Sequence, residues 1–249
     1  VSVVHLFKGK FFGQKMLDNN VVGEISSFLG AEHLSKPDPL VQNLQKAFRG
    51  MDVLGMGFTM LPEEAAELIA KDKRNADVLF PYLIGEDVNR HPEQLPSRWV
   101  INFFDWPLEK AEQYPDCMQI VREKVYPERK LNPDKQRRDI WWRFTRPRVE
   151  LFEILRPLSK VLVKTRVADK FAFVFVPYGY VYSDRLTVFA FEKATEFAIL
   201  QSGIHEWWSR FFGSTFKMDL LYSPSDCFET FPFPQSPITN NQLLYSIGE

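Results

Sequence analysis

Three short apolar runs, Val161-Leu162-Val163, Phe171–Val176 and Leu186–Phe191, follow one another with only turn residues between them. They are rich in β-branched and aromatic residues and predict a meander or mixed sheet buried on at least one face. Lys193–Phe212 then reads as one helix, with Phe197, Leu200, Ile204 and Trp208 on its apolar side and Gly213 as its C-cap. Upstream, Pro62-Glu63-Glu64 opens a helix, Arg98–Phe104 is a strand stopped by Asp105-Trp106-Pro107, and a further helix covers Pro147–Leu155. Leu108 to about Lys130 has helical spacing, and Pro115 and Pro127 divide it into two pieces. No βαβ unit repeats, so the fold class is α+β, a mixed or antiparallel sheet with packed helices.

The ends are less regular. Val1–Phe7 and Phe12–Leu17 have strand character, and Asp18-Asn19-Asn20 supplies the turn of a hairpin. Lys36-Pro37-Asp38-Pro39 is a break, and from Ser223 onward the chain is Pro-rich and without period, an irregular strap or tail. These signals divide the chain into a hairpin segment 1–35, a main domain 36–222 and a tail 223–249. Opening on a valine within a strand, the chain is expected to continue a longer polypeptide. Its 249 residues, 45% hydrophobic, suffice for a full core. No apolar run reaches the roughly 18 residues that span a bilayer, so a soluble, cytoplasmic protein without a membrane partner is expected. Cys117 and Cys227 are too few for a disulfide framework.

Familiar catalytic patterns fail in turn. There is no G-x-S-x-G, P-loop, H-E-x-x-H or paired C-x-x-C, and His5, His33, His91 and His205 never stand at metal-ligand spacing. Gly55-Met56-Gly57 is half of a dinucleotide fingerprint and reads as a tight turn. Pro115-Asp116 followed by Glu128-Arg129-Lys130 fits a loose metal-nuclease pattern, but such carboxylates usually sit on adjacent strands and this stretch reads as helix. The Asn- or Asp-Pro-Pro-Tyr/Phe loop and the glycine-rich strand end of DNA amino-methyltransferases are missing too. No catalytic residue, metal ligand or cofactor site is assigned.

Charge patterning is the positive signal. The net charge is -1, yet Val121–Lys170 holds fifteen Lys/Arg against seven Asp/Glu. Local charge sets a nucleic-acid footprint. Arg137–Arg148 interleaves arginines with Trp141, Trp142 and Phe144; a guanidinium offers a fork for phosphate or guanine and stacks on rings, while the tryptophans are expected in the core. Two-residue spacing places Lys164 and Arg166 on one strand face near Lys170, a row able to follow a phosphate backbone; a cross-strand ion pair with Asp169 or Glu150 is the alternative. Pro177–Arg185 and Arg210–Tyr222 are loops that combine aromatic, hydroxyl and charged groups, suited either to base edges or to plain solvation.

Further stretches complete the pattern: Gly55-Met56-Gly57-Phe58 with Pro62-Glu63-Glu64-Ala65, Phe80–Asp87, Ser97–Phe103, Tyr126-Pro127-Glu128-Arg129, Trp141-Trp142 and Tyr222–Pro234. In this order the chain resembles the target-recognition domain of MmeI-like (type IIL/IIG) restriction-modification DNA methyltransferases. The resemblance implies a phage-defence parent in which a nuclease and a methyltransferase core lie upstream, the core using S-adenosylmethionine as its cofactor to methylate adenine N6. This chain would then clamp double-stranded DNA and read the bases that flank the flipped adenine. It implies base readers between Lys164 and Tyr222, for which we select Tyr180, Ser183, Arg185, Lys217 and Asp219. Arg143, Arg146, Lys164, Arg166 and Lys170 are assigned to the DNA backbone. A protein-docking module of a phage-defence complex is the competing reading, on the 15% aromatic content and the Pro-rich tail.

Overall fold

Asp18 and Asn19 both take positive φ, 48° and 63°, the conformation of a two-residue turn whose twist matches that of its strands. They join β1 (Lys15–Leu17) to the antiparallel β2 (Asn20–Val22). The computed structural model describes residues 8–25, 30–31, 36–53, 55–234 and 246, so the strand expected over Val1–Phe7 lies outside the described residues. The chain divides into two units, Val1–Asp38, which carries this hairpin, and Pro39–Glu249.

The strands of the second unit are β3 (Ala47–Arg49), β4 (Thr59–Met60), β5 (Leu79–Leu83), β6 (Arg98–Ile101), β7 (Lys160–Thr165), β8 (Val167–Ala168), β9 (Val174–Pro177), β10 (Val181–Tyr182), β11 (Leu186–Phe189), β12 (Ser214–Phe216) and β13 (Asp219–Leu221). They form three sheets in the orders β10-β5-β6-β4, β3-β11-β7-β9 and β12-β13-β8. Every named pairing is antiparallel except β10 with β5. The helices are α1 (Pro62–Lys71), α2 (Gly85–Arg90), α3 (Leu108–Ala111), α4 (Pro115–Lys124), α5 (Tyr126–Lys130), α6 (Lys135–Asp139), α7 (Val149–Leu155), α8 (Ala194–Leu200) and α9 (Gly203–Phe212). The fold is α+β. Among the described residues no helix is long and apolar enough to cross a membrane.

Alternation along β7 and β11 buries the second sheet on both faces. Val161, Val163, Leu186 and Val188 turn toward a cluster with Leu151 and Leu155 of α7. Leu162 and Phe189 turn the opposite way, toward Phe171, Phe173, Tyr222, Phe228 and Phe231. Lys164 shares a parity with Leu162, opposite Thr187, and therefore enters this aromatic cluster. A third cluster fills the first sheet, where Val100, Ile101 and Phe103 meet Phe58, Val121 and Phe144. Trp141 and Trp142 pack on it as expected, the indole of Trp142 donating to the Trp106 carbonyl at 3.0 Å.

Prolines set several helix starts. Pro62 and Pro115 occupy first helical positions, and Pro127 lies in the first turn of α5. The single helix expected over Lys193–Phe212 is instead two. The backbone leaves the helical region at Ser202, φ −68° and ψ 151°, just after Gln201, whose side chain donates to Phe171 O at 2.7 Å and accepts from Phe173 N at 2.9 Å. Ser202 then caps α9 by accepting from His205 N. Gly213 does end α9, with ordinary negative φ; a Cβ there would lie 2.3 Å from Ser209 O, so close approach explains it. The tail also begins tighter than expected. Cys227, Phe228, Phe231 and Phe233 are core residues, and Asn43 fastens the strap by donating to Phe228 O at 2.9 Å and Phe231 O at 2.7 Å.

Candidate nucleic-acid interface

Ser183-Asp184-Arg185 is where the chain leaves the first sheet at β10 and enters the second at β11. Backbone bonds hold this turn from two sides: Ser183 N donates to Leu83 O at 2.9 Å and Asp184 N to Met51 O at 2.8 Å. Met51 N in turn donates to Tyr182 O at 2.7 Å, and Gly50 N to Leu186 O at 3.0 Å. The approach is so close that a Cβ on Gly50 would sit 2.2 Å from Ser183 O. A side chain on this turn projects from a rigid base.

Three arginines surround the Asp184 carboxylate and carbonyl. Arg49, at the end of β3, pairs with the carboxylate at 2.6 Å; Arg185 approaches it at 3.9 Å; Arg166, just beyond β7, donates to the carbonyl at 3.3 Å. Burial lowers the pKa of the Arg166 guanidinium below its ordinary value, and the positive charge of Arg49 and then of Arg185 adds to that effect against the attraction of Asp184. The Arg185 side chain is 76% exposed, with most of its five donors open to an incoming acceptor. Such a group can hold phosphate oxygens and present one fork to a base edge.

Arg49 also lines a cleft of about 240 Å³ with Arg137 of α6 and with Arg146 and Arg148 from the loop before α7. Thr145, Asp52 and Asp134 line it as well. Arg129, underneath, is buried against the Phe58 ring and ties the loop down by donating to Arg143 O at 2.5 Å. Burial lowers the pKa of its guanidinium, and the charge of Arg137 lowers it further.

The structure sorts the residues selected from sequence. Arg166 and Arg185 lie together, joined by an Arg166 N to Arg185 O bond of 2.8 Å. Arg146 is exposed in the cleft, and Arg143 is half-buried beside it in sequence, its carbonyl engaged by Arg129. Lys170 is exposed, 3.6 Å from its sequence neighbour Asp169, a contact that is not the cross-strand pair given as the alternative. Lys217 is exposed at positive φ in the two-residue turn between β12 and β13, next to Met218, which is 93% exposed. Asp219 is half-buried directly after that turn, opposite Phe216, and Tyr180 is half-buried against the α7 cluster.

Two expectations are corrected. Lys164 is 2% exposed; the two-residue spacing does give it a face, but that face is interior, and its ammonium lies 4.7 Å from the Phe171 ring centre and among the described residues donates to Lys170 O alone, at 3.3 Å. It is not available to a phosphate. Ser183 is 3% exposed, its hydroxyl accepting from Arg185 N at 3.2 Å, so it sets the turn and does not read a base. Arg49 and Arg137 were not selected from sequence. Arg49 joins the group only through the pairing of β3 with β11, and no local pattern marks that pairing.

The nuclease pattern does not assemble on adjacent strands. Asp116 begins α4, pairs with Lys71 at 2.5 Å and accepts from Asn75, while Glu128 and Lys130 belong to α5. Among the described residues no group of three or more His, Cys, Asp and Glu is placed to hold a metal.

The family described as the target recognition domain of MmeI matches residues 34–235. A solved structure of MmeI, a type IIL restriction-modification enzyme in complex with DNA, shares the fold, with a TM-score of 0.64 and 16% identity. The similarity covers 87% of this chain and 29% of that enzyme, so the chain corresponds to under a third of its length. No curated protein matches the chain. With its family match running from before the main unit's first strand to the strap that closes its aromatic core, the chain belongs to the MmeI target recognition domain family.

Proposed function

We propose that this chain reads a specific double-stranded DNA sequence for a restriction-modification enzyme. The observation that carries the reading is the trio Arg49, Arg166 and Arg185 around Asp184, mounted on a turn that backbone bonds hold rigid. In this reading Arg185, with Lys217 and Asp219 on the β12–β13 hairpin and Tyr180 on the β9–β10 loop, faces base edges, whereas Arg143, Arg146, Arg166 and Lys170 position the backbone. An upstream core of the same polypeptide flips and methylates an adenine at N6. S-adenosylmethionine would serve that core; the arginine cleft here is cationic and does not suit a sulfonium. The setting is phage defence in the cytoplasm.

The test is methylome sequencing of cells that express the full-length protein, with Arg185→Ala and Lys217→Ala variants. The expected result is one modified motif that relaxes at a single base in a variant. Unchanged methylation in both variants refutes the assigned readers, and the absence of any modified motif from a folded protein refutes the function. A second reading, docking of a protein partner, is favoured by Ile204 and Trp207, 74% and 62% exposed on α9. Ile204→Ser with Trp207→Ser, leaving DNA binding intact but uncoupling it from methylation, would support docking to the core.

A further inference from the structure

The cleft between β3, α6 and the loop before α7 has more donors than acceptors. Its four arginines carry five N–H donors each. Among the described residues only Arg49 donates one in a hydrogen bond, to Asp184. Arg137 stands 3.4 Å from Asp134 and Arg148 3.7 Å from Glu150, both without a hydrogen bond, and Arg146 has no ion-pair or hydrogen-bond partner among the described residues. Arg137 Nε, the atom that faces Asp134, and the Thr145 hydroxyl are shut off from solvent and make no hydrogen bond among the described residues. Buried donors without acceptors are costly, and an anion with several oxygens is the ligand that relieves them together. Asp184, Asp134 and Glu150 face Arg49, Arg137 and Arg148, which leaves Arg146 as the cleft arginine without a carboxylate partner among the described residues, and Asp134 already accepts from Gln136 N at 2.9 Å.

We propose that Arg137, Thr145, Arg146 and Arg148, with Arg49, form a clamp for one phosphodiester of the DNA backbone. The proposal rests on the DNA-reading function and names a contact within it. Arg49 decides for a diester over a free anion, because it lines the cleft and pairs with Asp184 of the turn that bears Arg185. A strand read by Arg185 presents phosphates beside that turn, one per roughly 3.4 Å of helix rise. The clamp therefore fixes the register in which Arg185 meets its base. It carries no sequence information itself.

The experiment measures duplex binding by the full-length protein across a salt series, for wild type, Arg146→Ala, Arg148→Ala and Thr145→Val, on cognate and scrambled duplexes. Each arginine variant should lose part of the roughly 0.9 that one neutralised phosphate contributes to the slope of log affinity against log salt, and should weaken both duplexes equally. Thr145→Val removes a hydroxyl that has no hydrogen-bond partner among the described residues, so its melting temperature should hold while its affinity falls about tenfold. Unchanged slopes, or a loss confined to the cognate duplex, would overturn the clamp. So would tight binding of inorganic phosphate to a protein whose duplex affinity ignores these substitutions, since the cleft would then be a free-phosphate site. Wild type that shows no salt-dependent duplex binding refutes the DNA-reading function itself, a failure visible without any cleft variant.

Discussion

Lys164→Met should stabilise the chain near neutral pH and remove a rise of stability in base. Burial pushes the Lys164 ammonium from 10.5 down to about 8. Around it stand Phe171, Phe173 and Tyr222, with ring centres at 4.7, 5.5 and 5.8 Å; Cys227, Arg210, Glu206 and His205 are the ionisable neighbours. Below pH 8 the folded and unfolded chains both carry the proton, so the full penalty applies. From about 8 to 10.5 only the unfolded chain carries it, and stability rises with pH. The gap corresponds to about 3 kcal/mol, of which the cation–ring contacts are worth about 1–2 kcal/mol in the opposite sense. Cys227, raised to about 11 by burial, titrates against this trend above pH 9, so the variant has to be compared with wild type at each pH. Urea unfolding at a series of pH values should show Lys164→Met ahead by about 1–2 kcal/mol at pH 7, with that lead shrinking by about 3 kcal/mol by pH 10.5. A lead that stays constant with pH would refute the buried-charge argument. The same variant should leave the salt slope of DNA binding unchanged, because the ammonium never reaches the surface.

Gly50→Ala should cost about 3 kcal/mol or prevent folding, because its Cβ would lie 2.2 Å from Ser183 O and 2.6 Å from Tyr182 O and would break the backbone bonds that hold the reading turn. A denaturation midpoint equal to wild type would disprove that close approach. His205, held near 4 by burial and flanked by Leu200 O, Cys227 O and the Tyr222 hydroxyl, should stay neutral across physiological pH. Its depressed pKa makes folding more favourable as pH rises from 4 to 6.5, so that stabilisation is lost on acidification through this window. An imidazole proton resonance that titrates near 6.5 in the native state would contradict it.

What sequence conveyed well was local. A proline at a first helical position acts on its own turn, so Pro62 and Pro115 mark helix starts wherever the rest of the chain goes. The break between α8 and α9 falls at Ser202, which caps α9, so a local signal was present but the apolar periodicity that runs across it does not show it. Lys164 exposes a limit of the alternation argument. Spacing of two says which residues share a face, but β7 is covered on both faces, so a charged residue on either one is buried. In the site, Arg166 and Arg185 were readable as cations near predicted strands, and their meeting at Asp184 was not. That meeting follows from register, Leu186 standing opposite Thr165, which appears only when the sheet is assembled.

The stretches that carry the family resemblance are largely core. Phe58, Tyr82, Leu83, Val100, Ile101, Tyr222, Cys227, Phe228 and Phe231 are all buried, and Gly57 lies where a Cβ would meet Lys124 O at 2.7 Å. Substitution at such positions is limited by packing, whatever DNA is bound. The exposed Arg185, Lys217 and Met218 lie outside those stretches, on two tight turns whose backbone is fixed by neighbours. A side chain there can change without disturbing a buried contact. Exchange of Arg185 for another polar residue, or of the positive-φ Lys217 for another unbranched one such as Arg or Gln, should therefore move stability by no more than about 0.5 kcal/mol, so these turns can change in sequence while the scaffold that presents them stays the same.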